Sequence, residues 1–533
     1  MKHIVIIGSG PSAAGVALAY AKDPAYAITV IDIGATLEPD HAAARDRIAG
    51  TPEVLWSPAD RELVQHQPVA VRGAKLPQKR TYGSDFPFRD VGQQAGLPAA
   101  KGEVAPVVSG AFGGFSNVWG AQTMPFSRAT FNEWPVSFDD MAPHYRVAMA
   151  EMSVSGQSDA LETLFPHLVP PNPLPEVSAR TASVLERFTK HQSKVESLGV
   201  TVGHARLALK SSSCTRCGLC MTGCPEQLIY SSSQTFDRLF ATASVTYRSG
   251  LLAVKVDEDD RGPFVVVKDQ RTGSVETIRA DRIFVGCGGI GTTRLVLGSL
   301  PGSTHRVELL ESVQFLLPAI SRRAVGNLRT DRDFTLNQFN MVYDDTGTGL
   351  DLVQVHFYPN NPAMERAFPA IAQHRSMTGL RTAALRRLSV GLGYLPSWAS
   401  PTITLEARST TSMALPDITI NRSDSKIPPP MLRRFLGAMT KAAPALDLWP
   451  VLPMVSVSAA MKSYHFGGTF PHARHCSGYQ SDLLGRLEGW DNIHLVDGSV
   501  FPSVPATTFT LTVMANAHRI ATGARKLDAQ AQP

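Results

Sequence analysis

The fold is decided near the start of the chain, where residues 4–15 read Ile-Val-Ile-Ile-Gly-Ser-Gly-Pro-Ser-Ala-Ala-Gly. The β-branched run at 4–7 predicts a buried strand, and the glycines that follow predict a tight turn. Residues 16–22 favour a helix, and the apolar run at 28–33 predicts a second buried strand. Strand, glycine turn, helix and strand in this order predict an α/β fold that contains a nucleotide-binding unit.

The glycine turn matches the pattern G-x-G-x-x-A. Gly8 and Gly10 allow a pyrophosphate to approach the N-terminus of the following helix, and Ala13 is small enough for close packing of helix and strand. Asp32 follows Ala13 by nineteen residues, at the end of the second strand, where its carboxylate can accept both hydrogens of a ribose diol. We therefore predict a dinucleotide site; the alternative is an ordinary glycine-rich turn that binds no ligand.

Composition and charge exclude several classes of protein. The chain has 533 residues, of which 43% are hydrophobic and 18% are charged, so it can bury a large core and is not disordered. A net charge of +5 without a basic cluster gives no sign of nucleic-acid binding. No apolar stretch reaches the roughly 18 residues of a membrane span, and the N-terminus does not read as a signal peptide. We expect a cytoplasmic protein without a membrane span.

Three later regions extend this organisation. Residues 109–120 form a second glycine-rich segment, against whose backbone a flat ligand could pack. The stretch at 281–289 reads as a buried strand that ends in glycines before a helix-like segment, which indicates a second strand-to-helix turn of the same unit. Between residues 327 and 420 the pattern changes to short alternating segments, which are typical of antiparallel strands with one covered face. We therefore expect a second domain there.

The C-terminal region carries two more motifs. Residues 463–471 read Ser-Tyr-His-Phe-Gly-Gly-Thr-Phe-Pro, and residues 494–503 read His-Leu-Val-Asp-Gly-Ser-Val-Phe-Pro-Ser. The second motif is a buried strand that ends in Asp-Gly-Ser and leads to a Thr-rich helix start, whose free N–H groups can meet an anionic or carbonyl-bearing ligand. The polar tail after Leu527 is expected to fray.

Four motifs occur in one order along the chain: the Gly8 turn, the Gly113-Gly114 segment, the Tyr464-His465 pair and the Val-Asp-Gly-Ser stretch at 496–499. In this order and spacing the chain resembles the glucose-methanol-choline (GMC) family of FAD-dependent oxidoreductases. The resemblance covers essentially the whole chain. It is strongest to the subgroup that carries a cysteine-rich segment.

The resemblance implies two domains. A discontinuous, Rossmann-like FAD-binding domain would take residues 1–326 and 455–533, with the cysteine-rich segment 200–230 inserted in it. An antiparallel-sheet substrate domain would take residues 327–454. FAD is expected to bind non-covalently, because Val118 stands where some members carry the histidine that attaches the flavin.

Carried over by position, the resemblance assigns FAD-binding roles. Residues 8–13 would hold the pyrophosphate, Asp32 the adenosine ribose, and Ala253 the adenine through its backbone. Residues 497–498 would meet the ribityl-pyrophosphate region, and residues 116–117 would lie beside the isoalloxazine. The full predicted cofactor set is Gly8, Ser9, Gly10, Pro11, Ser12, Ala13, Asp32, Ile33, Gly114, Ser116, Asn117, Gly120, Ala253, Asp497, Gly498 and Thr508.

The family's active-site base corresponds to His465, whose ordinary pKa near neutrality suits it to take a hydroxyl proton while a hydride passes to flavin N5. Asn117 and Thr508 are the other expected catalytic residues. The chain departs from the family at Thr508, where histidine or asparagine is usual, because threonine cannot act as a base near neutral pH. Thr508 could still hydrogen-bond a substrate oxygen or the flavin.

A cysteine-rich run has the pattern C-x2-C-x2-C-x3-C-P, formed by Cys214, Cys217, Cys220 and Cys224. The spacing is that of a bacterial ferredoxin motif and suits one [4Fe-4S] or [3Fe-4S] cluster, which some GMC relatives bear in the equivalent region. In two-cluster ferredoxins the fourth cysteine binds the other cluster, and this chain has a single such run. A zinc site and a metal-free loop are the alternatives.

Together these features predict an FAD-dependent dehydrogenase that oxidises the CH–OH group of a sugar, glycoconjugate or secondary metabolite and passes electrons to an external acceptor rather than to oxygen. One alternative keeps the fold and changes the chemistry: a flavin and iron-sulfur reductase, or an isomerase, acting on a carbonyl or alkene. The other alternative is an electron-transfer or redox-sensing flavoprotein without small-molecule turnover.

Overall fold

The computed structural model describes residues 1–66, 79–89, 108–242, 244–326, 328, 332–361, 374–408, 414–422, 429–458 and 461–530. Every residue of the predicted cofactor, catalytic and metal sites lies within these ranges. Of the helices in them, none is long and apolar enough to cross a membrane.

The strands are, in chain order, β1 (Lys2–Ile7), β2 (Tyr26–Ile31), β3 (Val154–Ser155), β4 (Val200–His204), β5 (Leu207–Ala208), β6 (Val245–Arg248), β7 (Leu251–Asp259), β8 (Gly262–Asp269), β9 (Val275–Arg279), β10 (Arg282–Val285), β11 (Thr304–Glu311), β12 (Gln314–Ile320), β13 (Phe339–Asp344), β14 (Leu352–Tyr358), β15 (Leu388–Tyr394), β16 (Ile403–Arg408), β17 (Asp417–Arg422), β18 (Trp449–Pro450), β19 (Ser456–Val457), β20 (Phe466–Gly467) and β21 (Ile493–Leu495). The α-helices are α1 (Pro11–Tyr20), α2 (Pro39–Ile48), α3 (Pro58–Gln65), α4 (Phe138–Glu151), α5 (Ala179–Lys190), α6 (Gln192–Glu196), α7 (Ser232–Thr242), α8 (Gly289–Ser299), α9 (Thr378–Leu385), α10 (Pro430–Leu446) and α11 (Thr510–Gln530).

The N-terminal strand lies at the centre of a five-stranded sheet with the order β21-β10-β1-β2-β6, in which all neighbours are parallel. Strands β1 and β10 are buried on both faces, as the continuous apolar runs predict. Helix α1 packs against α11, and the two backbones meet at Gly15, where a Cβ atom would lie 2.4 Å from the carbonyl oxygen of Met514. Helices from the two ends of the described chain therefore pack against each other beside this sheet.

A second, seven-stranded sheet has the order β18-β12-β15-β14-β13-β4, with β19 also pairing with β12, and its neighbours are antiparallel. Its apolar face packs against α10, where Val355 and Phe357 join the same buried cluster as Phe435. Gln354 and His356, which alternate with these residues along β14, belong to the opposite face because side chains alternate along a strand. We call β4, β12–β15, β18 and β19 the substrate sheet.

The predicted α/β fold class, a Rossmann-like unit plus an antiparallel sheet, is confirmed. The substrate sheet takes β4 and β12 from before residue 327, and the domain boundaries proposed from the sequence stay a prediction. The expected fraying after Leu527 is wrong for its first residues, because α11 continues to Gln530. Asp528 fixes this end by accepting hydrogen bonds from Lys2 Nζ at 2.7 Å and Arg282 Nη2 at 2.9 Å.

Candidate active site

A large cavity lies at the carboxyl ends of the parallel strands, the edge at which open α/β sheets bind ligands. Its walls come from the turns after β1, β2, β10 and β21, from the second glycine-rich segment and from the start of α11. The predicted site residues that line it are Gly8, Ser9, Gly10, Pro11, Ser12, Asp32, Ile33, Gly114, Ser116, Ala253, His465, Asp497 and Gly498. Motifs nearly 500 residues apart in sequence thus share one cavity.

The turn after β1 presents backbone to this cavity. Gly8 has φ +100°, and a Cβ atom there would lie 2.5 Å from the carbonyl oxygen of Gly286, so only glycine fits without a shift of the backbone. Helix α1 begins with Pro11 after Gly10, and no side chain caps its first turn. The N–H groups of that turn are therefore left to a ligand, and the positive end of the helix dipole favours an anionic one.

Asp32 follows β2 and is buried in the cavity wall. Its carboxylate accepts a hydrogen bond from Ser9 Oγ, whose oxygen in turn accepts one from the N–H of Gly113 at 2.9 Å. Burial raises the pKa of Asp32 to about 7. Hydrogen bonds from Ser9 and from the N–H groups of Ile33 and Gly34 lower the pKa and offset part of this rise. A ligand that donated two hydroxyl hydrogens would favour the ionised carboxylate, and a ribose diol has these donors.

The second glycine-rich segment, where Gly113 and Gly114 both have positive φ, is held by its own side chains. Asn117 Nδ2 donates to the carbonyl oxygens of Phe112 at 2.9 Å and Gly114 at 2.8 Å, and Ser116 Oγ donates to that of Gly113 at 2.5 Å. Asn117 does not line the cavity. Its observed contacts are those of a residue that fixes the turn, and its predicted catalytic role stays a prediction.

His465 brings a side chain from the C-terminal region into the same cavity. Its ring stacks on Tyr394 at 4.7 Å between centroids and meets Phe509 edge-on at 5.0 Å. Its Nδ1 is buried and has no hydrogen-bond partner among the described residues. Burial lowers the pKa of His465 to about 3, so the imidazole is neutral near neutral pH.

The segment that carries His465 is held by Glu311 at the end of β11. One carboxylate oxygen of Glu311 accepts hydrogen bonds from the N–H of Met461 at 2.7 Å and from Ser463 Oγ at 2.8 Å. Ser463 Oγ accepts one from the N–H of His465 at 3.1 Å. Tyr464 has φ +58°, an uncommon conformation for a residue with a side chain, directly before the histidine. This network sets the direction in which the imidazole enters the cavity.

Comparison with other proteins identifies the fold. The structure matches pyridoxine 4-oxidase from Mesorbium loti with a TM-score of 0.59, and formate oxidase with a TM-score of 0.60; each match has 14% identity and covers 99% of both chains. A 72-residue segment is 33% identical to the uncharacterized GMC-type oxidoreductase y4nJ of Sinorhizobium fredii (strain NBRC 101917 / NGR234). The fold is that of the GMC-type oxidoreductases.

The sequence match to the GMC-type relative from Sinorhizobium is local. It spans 14% of this chain and 14% of that relative. No family model matches the chain. The resemblance to GMC proteins predicted from the motifs is therefore confirmed by the fold, and the reaction is a matter for proposal.

The cavity fits the FAD that GMC-type proteins bind. A Cβ atom on Gly10 or on Gly288 would meet no other atom within 4 Å, so both glycines face open space inside the cavity. Asp497 Oδ2 accepts a hydrogen bond from Thr292 Oγ1 at 2.5 Å, and its Oδ1 accepts one from the N–H of Ser499 at 2.9 Å. The turns at Gly10 and Gly288 would hold the phosphates of FAD, and Asp32 would hold the ribose. The loop at Asp497 would contact the ribityl chain that joins the phosphates to the flavin ring.

Three predicted cofactor residues besides Asn117 lie outside the cavity lining. Ala13 is fully buried in α1, and Gly120 faces Tyr358, whose hydroxyl would lie 3.2 Å from a Cβ atom at that position. Thr508 Oγ1 donates to the carbonyl oxygen of Gln122 at 3.0 Å. Their contacts place them behind the cavity wall, and their predicted roles in binding FAD stay predictions.

Sequence reasoning missed residues that lie around His465 and along the cavity wall. Tyr394 and His356 both belong to the substrate sheet, and the His356 ring lies 5.3 Å from the Tyr394 ring that stacks on His465. Tyr394 and His356 do not line the cavity, whereas Leu251, Leu252 and Phe509 line it without belonging to any motif. A signal existed only for His356, as a histidine within an alternating strand pattern, and a single histidine is not specific.

The four cysteines lie between β5 and α7. No group of three or more His, Cys, Asp or Glu side chains in the described residues is placed to hold a metal ion. Burial raises the pKa of Cys217 to about 11 and that of Cys224 to about 12. The predicted iron-sulfur cluster finds no support in the arrangement of the described residues.

Proposed function

We propose that this protein is an FAD-dependent oxidoreductase that dehydrogenates the CH–OH group of a small-molecule alcohol, with His465 as the base. The observation that carries the proposal is the position of His465, which lines the same cavity as the Gly8 turn and Asp32. Dehydrogenation of an alcohol by a flavin needs a nucleotide-binding site and a neutral base in one cavity, and this cavity offers the glycine turn and the imidazole of His465. Bound FAD would supply the hydride acceptor.

The chain's own residues would bind, orient and deprotonate the substrate. His465 is neutral because burial lowers its pKa, so its ring has a lone pair to accept a proton. A base with a low pKa suffices here, because the hydroxyl group becomes strongly acidic as hydride leaves its carbon. Glu311 and Ser463 hold the backbone at His465, and the rings of Tyr394 and Phe509 flank the imidazole, so its orientation favours such a transfer.

We propose that the reduced flavin passes its electrons to an external acceptor, as the motifs predict, and that the four cysteines take no part in this transfer. Both matched structures are named as oxidases, so oxygen is the competing acceptor. Thr508, at the position where the family usually has histidine or asparagine, donates its hydroxyl hydrogen to the backbone carbonyl of Gln122.

The test is anaerobic reduction of the bound flavin by a panel of alcohols, followed by addition of oxygen or of a quinone acceptor. We expect at least one alcohol to bleach the flavin absorbance and the quinone to restore it faster than oxygen. Faster reoxidation by oxygen would make the protein an oxidase. If no alcohol bleaches the flavin but a carbonyl or alkene reoxidises chemically reduced flavin, the reductase alternative replaces this proposal.

The role of His465 is tested with His465→Ala against the control His305→Leu. His305 is a buried histidine of β11 that bonds Tyr479 and does not line the cavity. We expect His465→Ala to slow flavin reduction by about 10²- to 10⁴-fold with unchanged flavin content, the usual cost of losing a general base. Equal rates in the two variants would refute His465 as the base.

A further inference from the structure

The imidazole of His465 has one nitrogen that a substrate cannot reach. Nδ1 is enclosed by protein and has no hydrogen-bond partner among the described residues. Because His465 lines the cavity, a hydroxyl group that meets its ring must do so at the other nitrogen, Nε2. For Nε2 to accept a proton, the neutral ring must carry its one hydrogen on Nδ1. The proposed base therefore needs the Nδ1–H form of the imidazole.

The usual support for a histidine base is absent from the residues that the structure describes. In many such bases a carboxylate or a backbone carbonyl accepts the hydrogen of the second nitrogen, which selects the tautomer and stabilises the imidazolium. His465 Nδ1 has no such acceptor in the described part of the chain. Burial is the sole cause of the lowered pKa of His465, so no carboxylate in these residues acts on the ring as a counter-charge. A positive charge on the ring needs another source of stabilisation.

An aromatic ring lies against the imidazole and can supply this stabilisation. The Tyr394 ring is stacked on that of His465, with 4.7 Å between the centroids and 25° between the planes. A cation within about 6 Å of the centroid of an aromatic ring is attracted by the negative charge of its face. The attraction is stronger where water is excluded, and Tyr394 is buried. The stacked ring therefore favours the imidazolium over the neutral imidazole.

Tyr394 is held in place by the substrate sheet. Its strand, β15, pairs with β12 on one side and with β14 on the other. Gln314, the cross-strand partner on β12, donates from Nε2 to the Tyr394 hydroxyl oxygen at 3.2 Å. Burial raises the pKa of Tyr394 to about 12, so the phenol stays neutral near neutral pH. Tyr394 does not line the cavity, so it can affect the reaction only through His465.

We propose that Tyr394 is a positioning residue whose ring face holds the imidazole with Nε2 towards the cavity and stabilises the positive charge that His465 gains during the reaction. In that step the substrate O–H bond breaks and an N–H bond forms at Nε2. The hydride leaves the same carbon for the flavin, and the carbon–oxygen bond becomes a double bond. The ring face of Tyr394 thus acts as a carboxylate does beside other histidine bases. The inference rests on the proposed function.

A role in packing and a role in charge stabilisation predict different results. Packing depends on the size and shape of the ring, whereas the attraction of a cation depends on the electron density of the ring face. Fluorine atoms withdraw electrons from the face of a phenylalanine ring and change its size little. A series of rings with more and more fluorine atoms therefore weakens the second role and keeps the first.

The experiment compares Tyr394→Phe, its mono-, di- and trifluorinated forms introduced by nonsense suppression, and Tyr394→Leu. The control is Phe357→Leu, because Phe357 stacks on Phe339 at 4.6 Å on the opposite face of the same sheet. Anaerobic flavin reduction is measured with the alcohol that reduces the wild type fastest, together with kcat, KM and flavin content.

We expect Tyr394→Phe to keep most of the rate, because it keeps the ring face. The rate should fall stepwise along the fluorinated series, to about one tenth for the trifluorinated ring, and by about thirtyfold in Tyr394→Leu. KM and flavin content should change little in all of them, since Tyr394 does not line the cavity. The control should keep the wild-type rate.

A second measurement needs no turnover. Nitrogen NMR of the protein with isotope-labelled histidine shows which ring nitrogen carries the hydrogen, and the His465 signals are assigned by their loss in His465→Ala. We expect the hydrogen on Nδ1 in the wild type and in Tyr394→Phe. Tyr394→Leu should show a mixture of the two forms, because its imidazole is free to turn.

Equal rates along the fluorinated series would overturn the inference, because they would leave Tyr394 with packing alone. A hydrogen on Nε2 in the wild type would overturn it as well. If Tyr394→Leu does not fold, the fluorinated series still decides, since it keeps the shape of the ring. The proposed function fails in a different way: if no alcohol reduces the wild-type flavin, His465 gains no charge and both proposals fall.

Discussion

The two ends of the cavity are formed by different parts of the polypeptide, backbone at one end and side chains at the other. The end at the Gly8 turn, where we propose that the nucleotide binds, consists of backbone: bare glycine turns, uncapped N–H groups of α1, and few side chains apart from Asp32. The end at His465, where we propose that the substrate binds, depends on side chains: His465 and Phe509 line the cavity, and Tyr394 of β15 stacks on the His465 ring. A backbone site tolerates little change at its glycines, whereas a side-chain site can be altered one group at a time.

The largest effect should come from the backbone end. Gly8→Ala places a Cβ atom 2.5 Å from the carbonyl oxygen of Gly286 at φ +100°, so the turn must move. We expect loss of bound flavin and destabilisation by several kcal/mol, within the range for backbone strain combined with a steric clash. The control is Gly437→Ala in α10, where the added Cβ atom would meet no neighbouring atom within 4 Å, so this variant should keep its flavin. Flavin content per chain and thermal unfolding measure both; full flavin in Gly8→Ala would contradict the backbone model.

Asp32 is the side chain of the nucleotide end, and its effect depends on pH. In the protein without FAD its pKa is raised from 3.8 to about 7, so between these values the folded state holds a proton that the unfolded state has lost. Its contribution to the free energy of unfolding should fall by about 1.4 kcal/mol per pH unit as pH rises through this window. Urea unfolding of the apoprotein across the window should show this slope, and Asp32→Asn should lack it.

The same carboxylate links FAD binding to pH. Ribose hydroxyl groups would stabilise the ionised form, so FAD binding below about pH 7 releases a proton from Asp32, and affinity should rise up to about tenfold per pH unit there. Flavin titrations of wild type and Asp32→Asn at several pH values measure this. Parallel profiles for the two proteins would show that Asp32 does not meet the ribose.

A smaller effect is expected from Glu311, which holds the segment that carries His465. Glu311→Gln keeps the size of the side chain but removes the charge that accepts from Met461 and Ser463. We expect kcat to fall about tenfold through misplacement of His465, with flavin content unchanged. Stopped-flow flavin reduction checks this, and a loss of flavin together with activity would mean that Glu311 supports the whole cavity.

The smallest effect should follow Thr508→Val. This change removes one hydrogen bond to the carbonyl oxygen of Gln122, at a cost of about 1 kcal/mol in stability. Because Thr508 does not line the cavity, kcat should stay within about threefold of the wild type, since only a backbone contact is lost. A fall of a hundredfold would instead establish Thr508 as a catalytic residue and would break the division between the two ends.

The same division explains what the sequence could reveal. The strand, turn and helix around Gly8, and Asp32 after β2, were predictable because the chemistry of a backbone site leaves glycines at fixed spacing. His465 was predictable from its motif. Tyr394 was not, because its stacking on His465 depends on which face of a strand turns towards a residue about seventy positions away. The arrangement of the four cysteines likewise depends on loop conformations that their spacing does not determine.

The crossing of α1 and α11 at Gly15 has a consequence for synthesis. The sheet that contains β1 gains its edge strand β21, and α1 gains its partner helix α11, only from residues 493–530. The N-terminal strands and α1 are therefore synthesised several hundred residues before these partners. Until the partners are made, the apolar surfaces of β10 and α1 that they bury stay exposed, so the nascent chain depends on protection from aggregation.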